Sequence, residues 1–127
     1  MPLAVRLLAA AALALCALTP NAAAADRPNV VVVMTDDQTV ADLQAMPRTR
    51  AAIAAQGVTF DRSYVSYPVC CPSRATYLSG QYAHNHGVLG LYPPTGGYGR
   101  FGHANVLPVW LERAGYATAH VGKYMNG

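Results

Sequence analysis

Residues 28–38 read PNVVVVMTDDQ, an apolar run of mostly β-branched residues that ends in polar ones. A continuous apolar run of this kind predicts a strand buried on both faces, as in a parallel sheet. Open α/β sheets place their ligands just beyond the carboxyl ends of such strands. We therefore expect Asp36 and Asp37 to lie at a functional edge of the sheet.

The segments that follow carry alternating helical and strand patterns. Helices are predicted at residues 47–56, 72–78 and 107–114, and further strands at residues 58–65 and 116–121. Residues 82–103 are rich in Gly, Pro, Tyr and His and predict a long loop. This order favours an α/β fold with a mainly parallel sheet flanked by helices.

Composition excludes several classes of protein. Of the 127 residues, 53% are hydrophobic and 12% are charged, which excludes a disordered tail. The formal net charge is +3, and the Lys and Arg residues are scattered rather than clustered. We therefore expect no nucleic-acid partner. The length allows one small domain at most.

The first 25 residues have the pattern of a signal peptide. Arg6 precedes an uninterrupted apolar run at residues 7–18, Pro20 follows it, and small residues lead up to Ala25. The run is shorter than the roughly 20 residues that a membrane span needs. We predict export to the cell envelope or the extracellular space, cleavage near Ala25, no stable membrane anchor, and a domain that begins at residue 26.

Residues 70–80 read CCPSRATYLSG and form the most informative stretch. The predicted helix over residues 72–78 places Cys70 near its N-terminus, where free N–H groups and the helix dipole favour anions. Arg74 follows about one turn later, and its guanidinium group can bind an oxyanion with two parallel hydrogen bonds. Adjacent cysteines rarely bridge each other. These features also fit a buried structural cysteine pair at the start of a helix.

The same stretch resembles the signature of the sulfatase family in the alkaline phosphatase superfamily, which is Cys-x-Pro-Ser-Arg followed by Leu, Thr or Ser, and Gly at fixed spacing. Cys71 occupies the variable position. The Asp pair after the valine run resembles the family's metal pair, and residues 122–124, Gly-Lys-Tyr, resemble its lysine motif. The resemblance covers residues 27–127 and implies the N-terminal portion of an alkaline-phosphatase-like domain.

This resemblance implies a sulfuric ester hydrolase with a modified nucleophile. A formylglycine-generating enzyme would convert Cys70 to formylglycine, whose hydrated aldehyde attacks sulfur and then releases sulfate through its second hydroxyl. Arg74 would steady the formylglycine, and Lys123 would contact it and the sulfate. Asp36, Asp37 and the modified Cys70 would bind Ca²⁺, which prefers hard oxygen ligands.

Two further motifs indicate which class of substrate the resemblance implies. Residues 84–86, His-Asn-His, and residues 122–126, GKYMN, resemble the N-acetylglucosamine-6-sulfatase and extracellular glucosamine sulfatase branch. Many arylsulfatases carry a histidine where this chain has Met125. The resemblance therefore implies a sulfated carbohydrate of the glucosamine type, or an aryl sulfate ester, as substrate.

Three alternatives stay open at this point. Relatives in the superfamily hydrolyse phosphonates or phosphate monoesters with the same oxyanion chemistry. Cys70 and Cys71 could join His84 and His86 in a small zinc-binding module. The chain stops at Gly127, directly after a predicted strand, so it also predicts a truncated domain that is inactive by itself.

Overall fold

This computed structural model describes residues 27–127, and the predicted signal peptide lies outside the described residues. Within that range the regular elements are helical. Four helices are α1 (Pro47–Thr49), α2 (Cys70–Ser79), α3 (Ala83–His86) and α4 (Leu107–Arg113). A π-helical turn, Arg50–Ala54, continues α1, and 3-10 turns lie at Ala41–Ala45 and Tyr98–Arg100. None of the helices among the described residues has the length and apolarity that a membrane crossing requires.

Helix α2 positions the signature stretch. It begins at Cys70, two residues earlier than predicted, because the Ser73 N–H already bonds to the carbonyl of Val69 at 2.9 Å. Pro72 fits in this first turn, where a helix has no partner for its N–H groups. The helix ends as predicted at Gly80, whose φ of 66° is in the left-handed region that glycine adopts without steric cost.

The hydrophobic core lies within residues 35–127, which form one compact unit, while residues up to 34 belong to another. Its buried members come from α2 and from the segments after it: Cys71, Ala75, Val88, Phe101 and Val106. Helix α2 packs on α3 and on α4. Because Cys71 and Ala75 are four residues apart, they lie on one face of α2, and this face anchors the helix.

Residues 82–103, predicted as one long loop, contain α3 and a 3-10 turn. Helix α3 is only four residues long, and Gly87 ends it with a φ of 72°. So short a helix carries little periodic signal, which is why the Gly-rich composition dominated the prediction.

The predicted strands are not formed within the described residues. The structure assigns no strand to residues 28–34, 58–65 or 116–121, and its one bridge in the described range joins Gly90 and Gly96. The side chains of Val31 and Val121 are 86% and 97% exposed. A strand needs a neighbour for its ladder of hydrogen bonds, and the described residues supply none to these segments. The parallel sheet therefore stays a prediction.

Candidate active site

The turn after the valine run presents two carboxylates in succession. Asp37 has a φ of 52°, a left-handed conformation that Asp adopts more readily than most residues. In a regular strand, consecutive side chains point to opposite faces. The left-handed residue breaks that alternation, so Asp36 and Asp37 can both reach the start of α2.

Asp36, Asp37 and Cys70 form a cluster of possible metal ligands. One ligand atom from each lies within 4.8 Å of the other two, and the Cys70 Sγ is 3.5 Å from the Asp37 Oδ1. Two carboxylates offer the hard oxygen donors that Ca²⁺ and Mg²⁺ prefer. The Cys70 thiol is a softer donor than these oxygens. The two carboxylates thus supply part of a donor set that fits a hard divalent cation.

Arg74 joins α2 to the two motifs that flank it in sequence. Its side chain is buried, with its Nη2 3.1 Å from the Asp36 Oδ1 and its Nη1 donating to the backbone carbonyl of Lys123. Burying a guanidinium is costly unless it is paired. These two partners meet that need, and together they fix the Asp pair and the lysine motif relative to Cys70.

Lys123 completes the charged cluster. Its Nζ lies 2.6 Å from the Asp36 Oδ2, the carboxylate oxygen that Arg74 does not contact. The pKa of Asp36 is lowered mainly by the hydrogen bond from Lys123 and next by the hydrogen bond from Arg74. The same bond to Asp36 raises the pKa of Lys123. Asp36 is therefore ionised and Lys123 is protonated at neutral pH.

The resulting arrangement suits an oxyanion. Two cationic side chains and the N-terminus of a ten-residue helix converge where Cys70 begins that helix. Such donors stabilise a tetrahedral anion such as sulfate or phosphate. The structure thus brings together all five residues predicted from the sequence: Asp36, Asp37, Cys70, Arg74 and Lys123.

The histidines of the zinc-module alternative lie elsewhere. Both ring nitrogens of His86 have partners, with Nδ1 3.1 Å from the Val88 amide nitrogen and Nε2 3.1 Å from the Thr76 Oγ1. His84 stacks on Tyr82. Cys71 is buried, and its Sγ contacts the Met125 Sδ at 3.5 Å. The group of metal-ligating side chains found among residues 27–127 contains none of these, so the zinc module has no support.

A second group of side chains next to Lys123 was missed by sequence reasoning. His103 contacts the Tyr124 Oη through Nδ1 at 3.1 Å and the carbonyl oxygen of Tyr98 through Nε2 at 3.1 Å. Burial, and to a lesser degree Tyr98, raises the pKa of Tyr124. His103 and Tyr124 are 21 positions apart, and no local spacing rule connects residues so far apart.

Comparison with known proteins identifies the family of the chain. A family model described as Sulfatase matches residues 28–127. The chain belongs to the sulfatase family. The predicted family is thereby confirmed, and membership implies an α/β fold of the alkaline phosphatase type, whose sheet is not formed among the described residues.

Several curated sulfatases resemble the chain over most of its length. It is 38% identical to an arylsulfatase of Chlamydomonas reinhardtii over 92% of this chain and 19% of that protein. It is 41% identical to a putative extracellular sulfatase Sulf-1 homolog of Caenorhabditis elegans, over 77% of this chain and 14% of that protein. It is 38% identical to human N-acetylglucosamine-6-sulfatase, over 83% of this chain and 20% of that protein.

The chain thus spans about a fifth or less of the length of these relatives. The part matched by the family model, residues 28–127, contains the signature helix, the Asp pair and the lysine motif. No solved structure matches the chain.

Proposed function

We propose that the protein hydrolyses sulfate esters of glucosamine-type carbohydrates, using a formylglycine made from Cys70 and a bound Ca²⁺. The observation that carries this proposal is the convergence of Cys70, two carboxylates and two cations at the N-terminus of α2. Family membership supports the reaction class, since the relatives are named as sulfatases.

The conversion of Cys70 is a two-electron oxidation at its Cβ. The thiol carbon takes up an oxygen from water, sulfur leaves as sulfide, and two protons and two electrons pass to the oxidant used by the formylglycine-generating enzyme. When hydrated, the resulting aldehyde supplies the nucleophilic oxygen that attacks the sulfate ester. Cys70 is only half-buried, whereas Cys71 is fully buried in the core. This difference supports Cys70 as the modified residue.

Arg74 and Lys123 supply the positive charges of the site in this proposal. Arg74 is fixed by its two partners, so it keeps the start of α2 and the lysine motif at a constant separation. Lys123 is about one-third exposed and ends in a mobile ammonium group, so it can turn from Asp36 to a sulfate oxygen. Both groups stabilise negative charge on the ester as its bond to the alcohol breaks.

Asp36 and Asp37 would hold the Ca²⁺. Their carboxylate oxygens are both near Cys70, and Ca²⁺ takes roughly six to eight oxygen ligands, so additional donors are needed. A bound ion would supply positive charge that polarises the sulfate group. Asp36 would then be bound by the ion, and the Lys123 ammonium, which contacts Asp36 in the structure, would be available for the substrate.

The proposed substrate class rests on the relatives and on two motifs. Curated relatives from human and from Bacteroides thetaiotaomicron are named N-acetylglucosamine-6-sulfatase and N-acetylglucosamine-6-O-sulfatase. Met125, in the position of a histidine in many arylsulfatases, packs against the core. The absence of a histidine at this position supports the glucosamine branch.

One experiment tests the reaction class. The complete protein, produced with a formylglycine-generating enzyme and supplied with Ca²⁺, is assayed on 4-nitrophenyl sulfate, 4-nitrophenyl phosphate and N-acetylglucosamine 6-sulfate. We expect turnover of the sulfate esters and at least a tenfold lower kcat/KM for the phosphate. Faster turnover of the phosphate ester would favour the phosphatase alternative, and equal activity in a Cys70→Ala variant would reject the mechanism.

We also propose that the protein is exported. The signal-peptide pattern at residues 1–25 supports this, as does the name of the extracellular sulfatase homologs in Caenorhabditis elegans and Drosophila melanogaster. N-terminal sequencing of secreted protein should show a start near Asp26. A cytoplasmic protein that retains Met1 would contradict it.

A further inference from the structure

Four rings form an aromatic cluster beside the lysine motif: Tyr98, Phe101, His103 and Tyr124. The ring centroids of Tyr98 and His103 are 4.3 Å apart and tilted by 30°. Phe101 is buried and meets His103 edge-on at 5.2 Å, so it supports the cluster from the core side. Tyr98 is the outer ring, with 53% of its surface exposed.

The cluster is rigid because hydrogen bonds hold its members. A carbonyl oxygen only accepts, so the His103 Nε2 donates to Tyr98, and in neutral His103 the Nδ1 then accepts from the Tyr124 hydroxyl. The Tyr98 N–H also donates to the carbonyl of Asn126 at 2.8 Å. These bonds fix the Tyr98 backbone on both sides. His103 covers one face of the Tyr98 ring, and more than half of the residue is exposed.

The cluster adjoins the anion site through the lysine motif. Tyr124 follows Lys123 directly, so their Cα atoms are about 3.8 Å apart. Arg74 binds the Lys123 carbonyl, and Tyr98 binds the Asn126 carbonyl, so residues 123–126 are held at both ends. The side chain of Lys123 reaches Asp36, whereas the neighbouring side chain of Tyr124 joins the aromatic cluster.

We infer that this cluster is a subsite for the sugar ring that carries the sulfate, with Tyr98 as the stacking surface. This inference rests on the proposed function and adds the residues that recognise the carbohydrate. One face of a pyranose ring presents polarised C–H groups, which are attracted to the negative face of an aromatic ring. A rigid tyrosine offers such a face at little cost in conformational entropy.

The occupant follows from the chemistry of the two neighbouring sites. The charged cluster would bind an anion, and the Tyr98 ring packs against the ring of Tyr124, the residue that follows Lys123 in the chain. A molecule that satisfies both has a sulfate group attached to a ring with an apolar face, which describes a sulfated hexosamine. Inorganic sulfate would fill only the charged cluster and leave Tyr98 uncontacted.

The test measures equilibrium binding to the complete protein with Cys70→Ala, which has no nucleophile at this position and therefore binds ligands without reacting with them. We expect Tyr98→Ala to weaken binding of N-acetylglucosamine 6-sulfate about tenfold, a typical effect of losing one stacked ring. Tyr98→Phe should bind like the parent, because it keeps the ring. The affinity for inorganic sulfate should be the same in all three proteins.

Tyr82→Ala is the matched control. Tyr82 is also exposed, at 61%, and also stacks on a histidine, but it lies at the start of α3. We expect unchanged sugar affinity in this variant. Unchanged affinity in Tyr98→Ala, an equal loss in Tyr82→Ala, or an equal loss of inorganic sulfate affinity would overturn the inference.

The result that would reject the proposed function differs from the result that would reject the Tyr98 subsite. If the protein with formylglycine at position 70 turns over no sulfate ester, the proposed reaction is wrong, whatever the binding data show. If turnover is normal, the Tyr98→Ala variant should raise KM for the sulfated sugar about tenfold while kcat changes less than about twofold.

Discussion

The signature region, residues 70–88, and the valine run, residues 28–34, both contain apolar side chains, but these side chains differ in their environment. In the first, Cys71, Ala75 and Val88 are fully buried. In the second, Val30, Val31, Val32 and Val33 are all more than half exposed. The first region obtains its partners from nearby sequence and from residues 101–125, whereas the second has no neighbouring strand among the described residues.

This difference shows which parts of the site depend on local interactions. Helix α2 needs only its own hydrogen bonds, a glycine cap and a small core, so it forms and presents Cys70 within the described residues. The valine run requires a sheet, since strand hydrogen bonds are made between strands. Four consecutive exposed valines are rare on the surface of a folded protein. This supports their burial in a sheet of the complete protein.

The largest expected effect is at the proposed metal ligands Asp36 and Asp37. Asp37→Ala should reduce kcat/KM at least a thousandfold in the complete protein and abolish bound Ca²⁺ measured by elemental analysis, because an anionic ligand is removed beside the nucleophile. Asp61→Ala is the control, since Asp61 is exposed and outside the cluster. Wild-type turnover and Ca²⁺ content in Asp37→Ala would exclude Asp37 as a ligand.

The next effect distinguishes a buried valine run from an exposed one. If the run is a central strand, Val31→Asp should lower the free energy of unfolding of the complete protein by about 3 kcal/mol or more, because it buries a carboxylate. If the run is exposed, the change should stay within about 0.5 kcal/mol. Val40→Asp is the control, because Val40 is 89% exposed and lies outside every predicted strand. Denaturant titration measures the free energy of unfolding of both variants.

A smaller effect is expected at Arg74. Lysine has one ammonium group and cannot contact both the Lys123 carbonyl and Asp36 as Arg74 does. Arg74→Lys should therefore lower kcat/KM roughly tenfold to a hundredfold. Arg113→Lys, at the exposed end of α4, should have no effect. A fully active Arg74→Lys would mean that charge alone is sufficient and the two-pronged contact is not needed.

The smallest effect is a pH dependence from His86. Burial lowers its pKa below the usual 6.5, a bond to the Pro72 carbonyl opposes this, and His84 adds to the lowering. The unfolded state then binds the proton more readily, so the stabilisation is complete above pH 6.5 and is lost as the pH falls towards the folded pKa. The unfolding temperature should drop by a few degrees between pH 7.5 and 5.

Two variants check the origin of that drop. His86→Asn does not titrate and can still accept from the Val88 N–H through its side-chain oxygen, so the His86-dependent part of the drop should disappear. His84→Asn should retain most of it, because His84 is exposed. An unchanged pH dependence in His86→Asn would assign the effect to another group.

The candidate site was predictable from sequence to a greater extent than the fold. Cys70 and Arg74 are in one helix with a fixed spacing, and Gly80 ends that helix as predicted. The Asp pair follows from the strand-like pattern before it, and Lys123 follows from its motif. Helices at residues 47–56 and 107–114 were predicted with nearly correct limits because their periodicity and their proline and glycine signals are local.

The remainder depends on contacts between distant residues. The pattern of Val30 to Val33 predicts a buried strand but cannot supply its neighbours. The left-handed turn at Asp37 and the link from His103 to Tyr124 are set by tertiary packing. Burial of Cys71 follows from the face that α2 turns to the core, which the sequence around two adjacent cysteines does not reveal.

The central claim is that Cys70, and not Cys71, becomes the nucleophile, and peptide mass spectrometry tests it most directly. The protein is co-produced with a formylglycine-generating enzyme, and the peptide with residues 70–74 is fragmented. We predict a loss of roughly 18 Da at Cys70, the difference between a thiol side chain and an aldehyde, with Cys71 unmodified. The same loss at Cys71, or an unmodified Cys70 in a fully active sulfatase, would contradict the account.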